Sequence, residues 1–158
     1  MRAIAKRVRF WPPTLKDSVR ELDTDVAEHI AQALQDAKLG VKSAAAKPFG
    51  EDRRLAKVMK IIKDAKDGNT YRGVYTIEFP EAIWVLDVFA KKSTQGIATP
   101  KADIERIFGR LKSLRTYRET PEGKAEVNAL LIEYGQKIEA AKRDKEKSYG
   151  QHSQPKGS

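Results

Sequence analysis

Residues Thr70–Phe79 read TYRGVYTIEF, and the reading of this stretch decides the fold. Its residues alternate apolar with polar, the period of a β-strand, and Arg72 falls on the same side as Val74 and Thr76. The next apolar run is IWVLDVFA, Ile83–Ala90, which continues directly into Lys91 and Lys92. Its apolar residues are nearly continuous, as expected of a strand buried on both faces. Pro80-Glu81-Ala82 turns the chain between the two. Strands joined by so short a turn run antiparallel, so the start of the first lies beside the end of the second. Arg72 and the pair Lys91/Lys92 are therefore expected at one shared rim of the sheet. Like charges placed together there are unfavourable, and an anionic partner would relieve them.

Upstream, the alternation of Ile4, Val8 and Phe10 among Lys6, Arg7 and Arg9 predicts a first strand, ended by Pro12-Pro13. Thr14 caps a short helix to about Leu22. Asp25-Val-Ala-Glu28 has capping-box spacing for a second helix, with Val26, Ile30, Ala33 and Leu34 on its apolar face and Gly40 just past its end. Val41–Arg54 reads as a connection. Leu55–Ile62, LAKVMKII, is rich in β-branched residues and is read as a strand, followed by the turn Asp67-Gly68-Asn69. Downstream, Thr99-Pro100 starts a helix whose stripe is Ile104, Ile107, Phe108, Leu111 and Leu114. Thr120-Pro121 starts another, with Val127, Leu130, Leu131, Tyr134 and Ile138 as its apolar face. From Lys142 the chain lacks apolar anchors and reads as a disordered tail. The fold class is α+β: two N-terminal helices on a small, mainly antiparallel curved sheet, helices covering one face, and C-terminal helices after it. The expected division is 1–118 for the domain, 119–142 for a helical extension and 143–158 for the tail.

The 158 residues carry 31 Lys+Arg against 22 Asp+Glu, a net charge of +9 that favours an anionic partner, nucleic acid first. With no cysteine, disulfides, thiolate metal sites and cysteine nucleophiles are excluded. No run approaches the length of a membrane span, and the N-terminus lacks a signal-peptide core, so a cytoplasmic protein is expected. His29 and His152 have no partner at metal or triad spacing, and no glycine-rich phosphate loop occurs. Neither a metal nor a cofactor is expected. The positive charge is concentrated instead. Between Lys42 and Lys66 stand eight Lys/Arg against three acids, a local excess of five.

Lysines at strand ends also serve as a solvated rim against edge pairing, which accounts for Lys91 and Lys92 but poorly for Arg72. A cationic rim suits RNA, which carries its own nucleophile in the 2′-hydroxyl. Arginine clamps phosphate oxygens with planar, paired donors. A lysine crowded by other cations can also exchange a proton.

The segments AKPFG, NTYRGVYTIEF and VLDVFAKKSTQGIATPKADIERIFGRLK together resemble the phage-derived, HigB-like branch of the RelE/ParE toxin superfamily, over about Trp11–Tyr117. The string from Lys91 to Lys101 is its most specific part. The resemblance implies a toxin of a type II toxin–antitoxin system, a metal-independent endoribonuclease that cleaves mRNA on the ribosome and stops translation. It also implies a neutralising antitoxin, usually a helix-turn-helix protein. Under it, Arg72 matches the strand arginine at the scissile phosphate, and Lys92, with Lys91 as alternative, matches the following basic position. The candidate RNA-binding set is Lys47, Arg53, Arg54, Lys57, Lys60, Tyr71 and Tyr117, the last as nearest to a base-stacking tyrosine of many relatives. Asp87 stands where the family usually has a histidine. Two alternatives belong to other classes: a poison of a DNA topoisomerase that does not cut RNA, and a basic RNA- or ribosome-binding module without chemistry.

Overall fold

A computed structural model describes residues 4–92 and 100–153, with Lys92 and 149–153 described by backbone alone. The elements are β1 (Arg7–Phe10), α1 (Leu15–Arg20), α2 (Thr24–Lys38), β2 (Ala46–Pro48), β3 (Val58–Asp64), β4 (Asn69–Thr76), β5 (Ala82–Lys92), α3 (Lys101–Glu119) and α4 (Pro121–Ser153). The five strands form one sheet in the order β1-β5-β4-β3-β2. The turn-linked strands β3, β4 and β5 pair antiparallel as expected, and β2 pairs antiparallel with β3. β1 runs parallel to β5, a pairing that needs the long crossover the intervening elements supply.

Helices cover both faces of the sheet, not one. β5 alternates between them: Ile83 and Val85 pack with Val26, Ile30 and Ala33 of α2, while Ala82, Trp84 and Leu86 pack with Ile107, Leu111 and Leu114 of α3. The continuous apolar run is thus divided between two cores. The stripe of α3 is buried as its spacing predicts, each of those three side chains contributing about 1.5–3 kcal/mol. The same helix also docks through charge. Arg115 makes paired hydrogen bonds to Glu78 (2.7 and 2.6 Å), Arg118 to Glu81 (3.0 and 2.7 Å), and Arg106 and Arg110 both reach Asp87 at 2.8 Å.

Boundaries differ from the sequence reading where local hydrogen bonds compete. Asp23, not Asp25, is the N-cap of α2, and Asp25 falls in the first turn, where its charge meets the helix N-terminus. The strand expected from Leu55 starts at Val58, because Arg53–Leu55 closes a 3₁₀ turn whose cap Asp52 accepts the Arg54 N–H at 2.8 Å. The expected connection contains the three-residue edge strand β2, with Pro48 at its end. α3 begins at Lys101 with Pro100 at its N-cap, and Thr99 lies outside the described residues. Thr120 is extended, as a residue before proline should be, and its Oγ1 accepts the Gly123 N–H at 3.1 Å to start α4. A Cβ on Gly123 would stand 1.9 Å from the Tyr117 carbonyl oxygen, so only glycine lets α4 fold back this closely. α4 continues to Ser153, past Lys142, and Leu130 is its last buried residue among those described. No helix of the described residues is long and apolar enough to cross a membrane.

Gly40 follows α2 with φ +73°, the left-handed cap position foreseen for it, and nothing lies within 4 Å of the Cβ it lacks. The cost of Gly40→Ala is then conformational alone. Stability should fall by about 1 kcal/mol, read as a lower thermal midpoint with unchanged activity.

Candidate phosphate-binding face

The strand register collects the cations. Across β3, β4 and β5 the partners run Lys60–Val74–Asp87, Ile62–Arg72–Phe89 and Asp64–Thr70–Lys91. Lys60 and Lys91 are therefore the two cationic diagonal neighbours of Arg72 on the α3 face, the other diagonals being Asp64 and Asp87, each about 7–8 Å away in such ladders. A β-bulge between Val74 and Tyr75 sets this phase, since it lets β5 carry one extra residue before Asp87. Lys47, opposite Lys60 on β2, extends the row to the sheet edge, where it is exposed. Four cations from four strands thus share one face. Two of the expected catalytic residues, Arg72 and Lys91, stand together. Lys92 pairs with Asn69 at the backbone, one residue out of phase, and its side chain lies outside the described residues, as do residues 93–99.

The expectation of a solvent-facing rim does not hold. Arg72 is 3% exposed, Lys91 4% and Lys60 9%. Arg72 has a strand on each side, Ile62 of β3 and Phe89 of β5, whereas Lys91 is paired with β4 alone, since β1 reaches only Ala82–Val85 of β5. A ligand touches Arg72 only after neighbouring groups move.

Two carboxylates temper the charge. Glu51, on the loop before β3, accepts from Lys60 Nζ at 2.6 Å. Asp103, in the first turn of α3, holds Arg106 at 2.7 Å. Burial pushes the Lys91 ammonium below the ordinary lysine pKa, and the charges of Arg72 and Lys60 push it further, against Asp103 and Glu51. Protonated Lys91 is thus disfavoured in the fold. That penalty is complete below its folded pKa and disappears above the unfolded value of about 10.4, so stability rises with pH across that window. Lys60→Met removes one of the depressing charges. The Lys91 titration followed by NMR should move to higher pH.

The remaining expected residues disperse. Tyr71 is on the α2 face, its hydroxyl donating to Asp67 at 3.2 Å. Tyr117 is not at the cluster. It lies 14 residues along α3 from Asp103, about 21 Å of helix, and stacks on Trp11 with centroids 4.5 Å apart. Its hydroxyl donates to Glu126 at 2.7 Å, a bond that, with burial, pushes its pKa up to about 12 and keeps it protonated. Arg54 is engaged with Asp52 and Glu105 over the Phe108 ring, tying the loop before β3 to α3. Arg53 and Lys57 are exposed, and the Lys57 carbonyl binds Thr76 at the end of the sheet opposite Lys91. His29 Nε2 contacts the Ile62 carbonyl at 3.0 Å, a packing role.

Glu51 and Asp103 were not foreseen as parts of the site. Asp103 stood inside the TPKAD string that carries the family resemblance. Glu51 gave no periodic signal, because it acts from a loop. Asp87 is occupied by Arg106 and Arg110 and serves to seat α3 over the cluster.

The sequence model of a family described as phage derived protein Gp49-like (DUF891) matches residues 17–112, which span α1 to the middle of α3 and include every residue of the cluster. Among curated proteins, none matches the chain.

Proposed function

Since the chain belongs to the phage-derived Gp49-like family, a family of toxin–antitoxin toxins related to RelE, we propose that it is a HigB-like endoribonuclease acting on mRNA at the ribosome, without a metal. Membership implies an antitoxin partner; a helix-turn-helix protein and a cytoplasmic site of action complete this reading. The observation that carries it is the convergence of Lys60, Arg72 and Lys91 on one face. Three cations held together at such low exposure are an electrostatic cost to the free protein, which an anion repays.

The chemistry follows from what these groups offer. Arg72 presents a planar guanidinium to the non-bridging oxygens of a phosphodiester. Lys60 adds charge for the pentacoordinate state, whose extra negative charge preorganised cations stabilise. The 2′-hydroxyl releases its proton to water as it attacks the adjacent phosphorus, the bond to the 5′-oxygen breaks, and a 2′,3′-cyclic phosphate and a 5′-hydroxyl result. Lys91, readier than an ordinary lysine to give up its proton, passes it to the leaving 5′-oxygen.

Mapping mRNA 5′ ends after induction tests this directly. New ends within translated regions, absent with Arg72→Ala, are the expected result. DNA damage with intact mRNA would instead point to a topoisomerase poison, and tight, salt-sensitive RNA binding without cut ends to a module that only binds.

A further inference from the structure

Among the carboxylates near these cations, one holds a lysine of the row directly. Glu51 lies on the loop between β2 and β3, and its oxygen receives the Lys60 ammonium at 2.6 Å. The Lys60 side chain retains 11% exposure and that of Glu51 26%. The ammonium is bounded elsewhere by the Phe49 ring, 5.1 Å from its nitrogen. Solvent thus reaches the carboxylate more readily than the ammonium it covers. Asp103 is held by Arg106 of its own helix.

We propose that Glu51 is a built-in counter-ion that occupies the phosphate position on Lys60 and is displaced when the RNA backbone enters. The proposal rests on reading this face as a phosphodiester site. A carboxylate and a phosphate oxygen compete for the same ammonium protons, so the resting pair blocks the position an anion would take. The pair also relieves the mutual repulsion of Lys60, Arg72 and Lys91 in the free protein. Its second effect is selectivity. A lone phosphate ion must evict Glu51 for a single contact. A polymer brings adjacent phosphates, which also meet Lys47 in the same row, and the several contacts together offset the eviction. Because Glu51 is on a loop and not a strand, it can leave without disturbing the sheet.

The test is equilibrium binding of a labelled, fully 2′-deoxy single-stranded oligonucleotide, which cannot be cut, to the full chain. Glu51→Gln should bind about tenfold more tightly. Inorganic phosphate should compete better against this variant than against the natural chain, and Glu51→Asp should restore the natural affinity. In a Lys60→Met background, Glu51→Gln should bring a much smaller gain, because the carboxylate then covers no ammonium at that position and bears only on the charge of Lys91. Binding that depends on Arg72 yet is unchanged or weakened by Glu51→Gln overturns the counter-ion role alone, as does a gain undiminished without Lys60. Binding indifferent to both Arg72→Ala and Glu51→Gln overturns the site and this role with it.

Discussion

Arg72→Ala should reduce RNA cleavage by about 10²- to 10³-fold, the loss typical when one preorganised donor to a developing oxyanion is removed. Arg72 is the middle member of the set, diagonal to Lys60 on one side and to Lys91 on the other. A phosphate seated between those lysines is in position to receive the guanidinium once the neighbouring groups have moved. Arg72→Lys should recover little, since one ammonium cannot reproduce two parallel N–H donors at fixed spacing. The folding consequence has the opposite balance. Arg72 is 3% exposed, and alanine leaves space behind. It also removes a charge that depresses the pKa of Lys91, so lost packing and relieved repulsion partly cancel. The variant should retain its circular dichroism spectrum and most of its thermal stability while translation continues in cells that express it. Unimpaired cleavage would remove Arg72 from the reaction. Loss of cleavage together with loss of fold would leave its role to Arg72→Lys, which preserves charge and volume.

The strands near this residue were legible because their periodicity is local. TYRGVYTIEF alternates and IWVLDVFA does not, yet residues 72–76 are buried on both faces of β4, so the alternation marked the strand and not its burial. The antiparallel turn then placed Arg72 near Lys91 without coordinates. Three things were not legible. Sheet order depends on a long-range parallel pairing, β1 with β5, that leaves no local mark. The bulge at Val74/Tyr75, which sets the phase of Lys91 against Arg72, is a choice of backbone and not of side-chain type. Coverage by α3 could not be read from its apolar stripe alone, since much of its docking is arginine on carboxylate and such residues look solvent-facing in a sequence. That same coverage is why a rim foreseen as open is nearly closed, and why a loop carboxylate, invisible to periodicity, enters the site.

Arg118→Ala should cost about 3–5 kcal/mol of folding stability, a large share of what a domain of this size possesses. The reason lies in Glu81, whose side chain is 0% exposed. It accepts two hydrogen bonds from Arg118, at 3.0 and 2.7 Å, and one from the Trp84 indole at 2.7 Å. The guanidinium also lies over the Phe79 ring, 4.0 Å from its centroid. Alanine strands the carboxylate with the indole alone, deep between β5 and the C-terminal end of α3. Replacing both partners should be far milder. In Arg118→Met with Glu81→Gln, the amide oxygen still accepts from Trp84 and no charge is left buried, so most of the loss returns. Urea unfolding measures this: the midpoint should drop for the single variant at unchanged m-value and recover in the double. The functional corollary separates anchor from site. Arg54–Glu105 and Asp87 with its two arginines hold the N-terminal half of α3 independently of Arg118. At a temperature where the single variant is still folded, cleavage should therefore stay near the natural rate. A single variant as stable as the natural chain would mean that water or a rearranged side chain compensates Glu81, and that α3 is seated by its apolar stripe rather than by its charges.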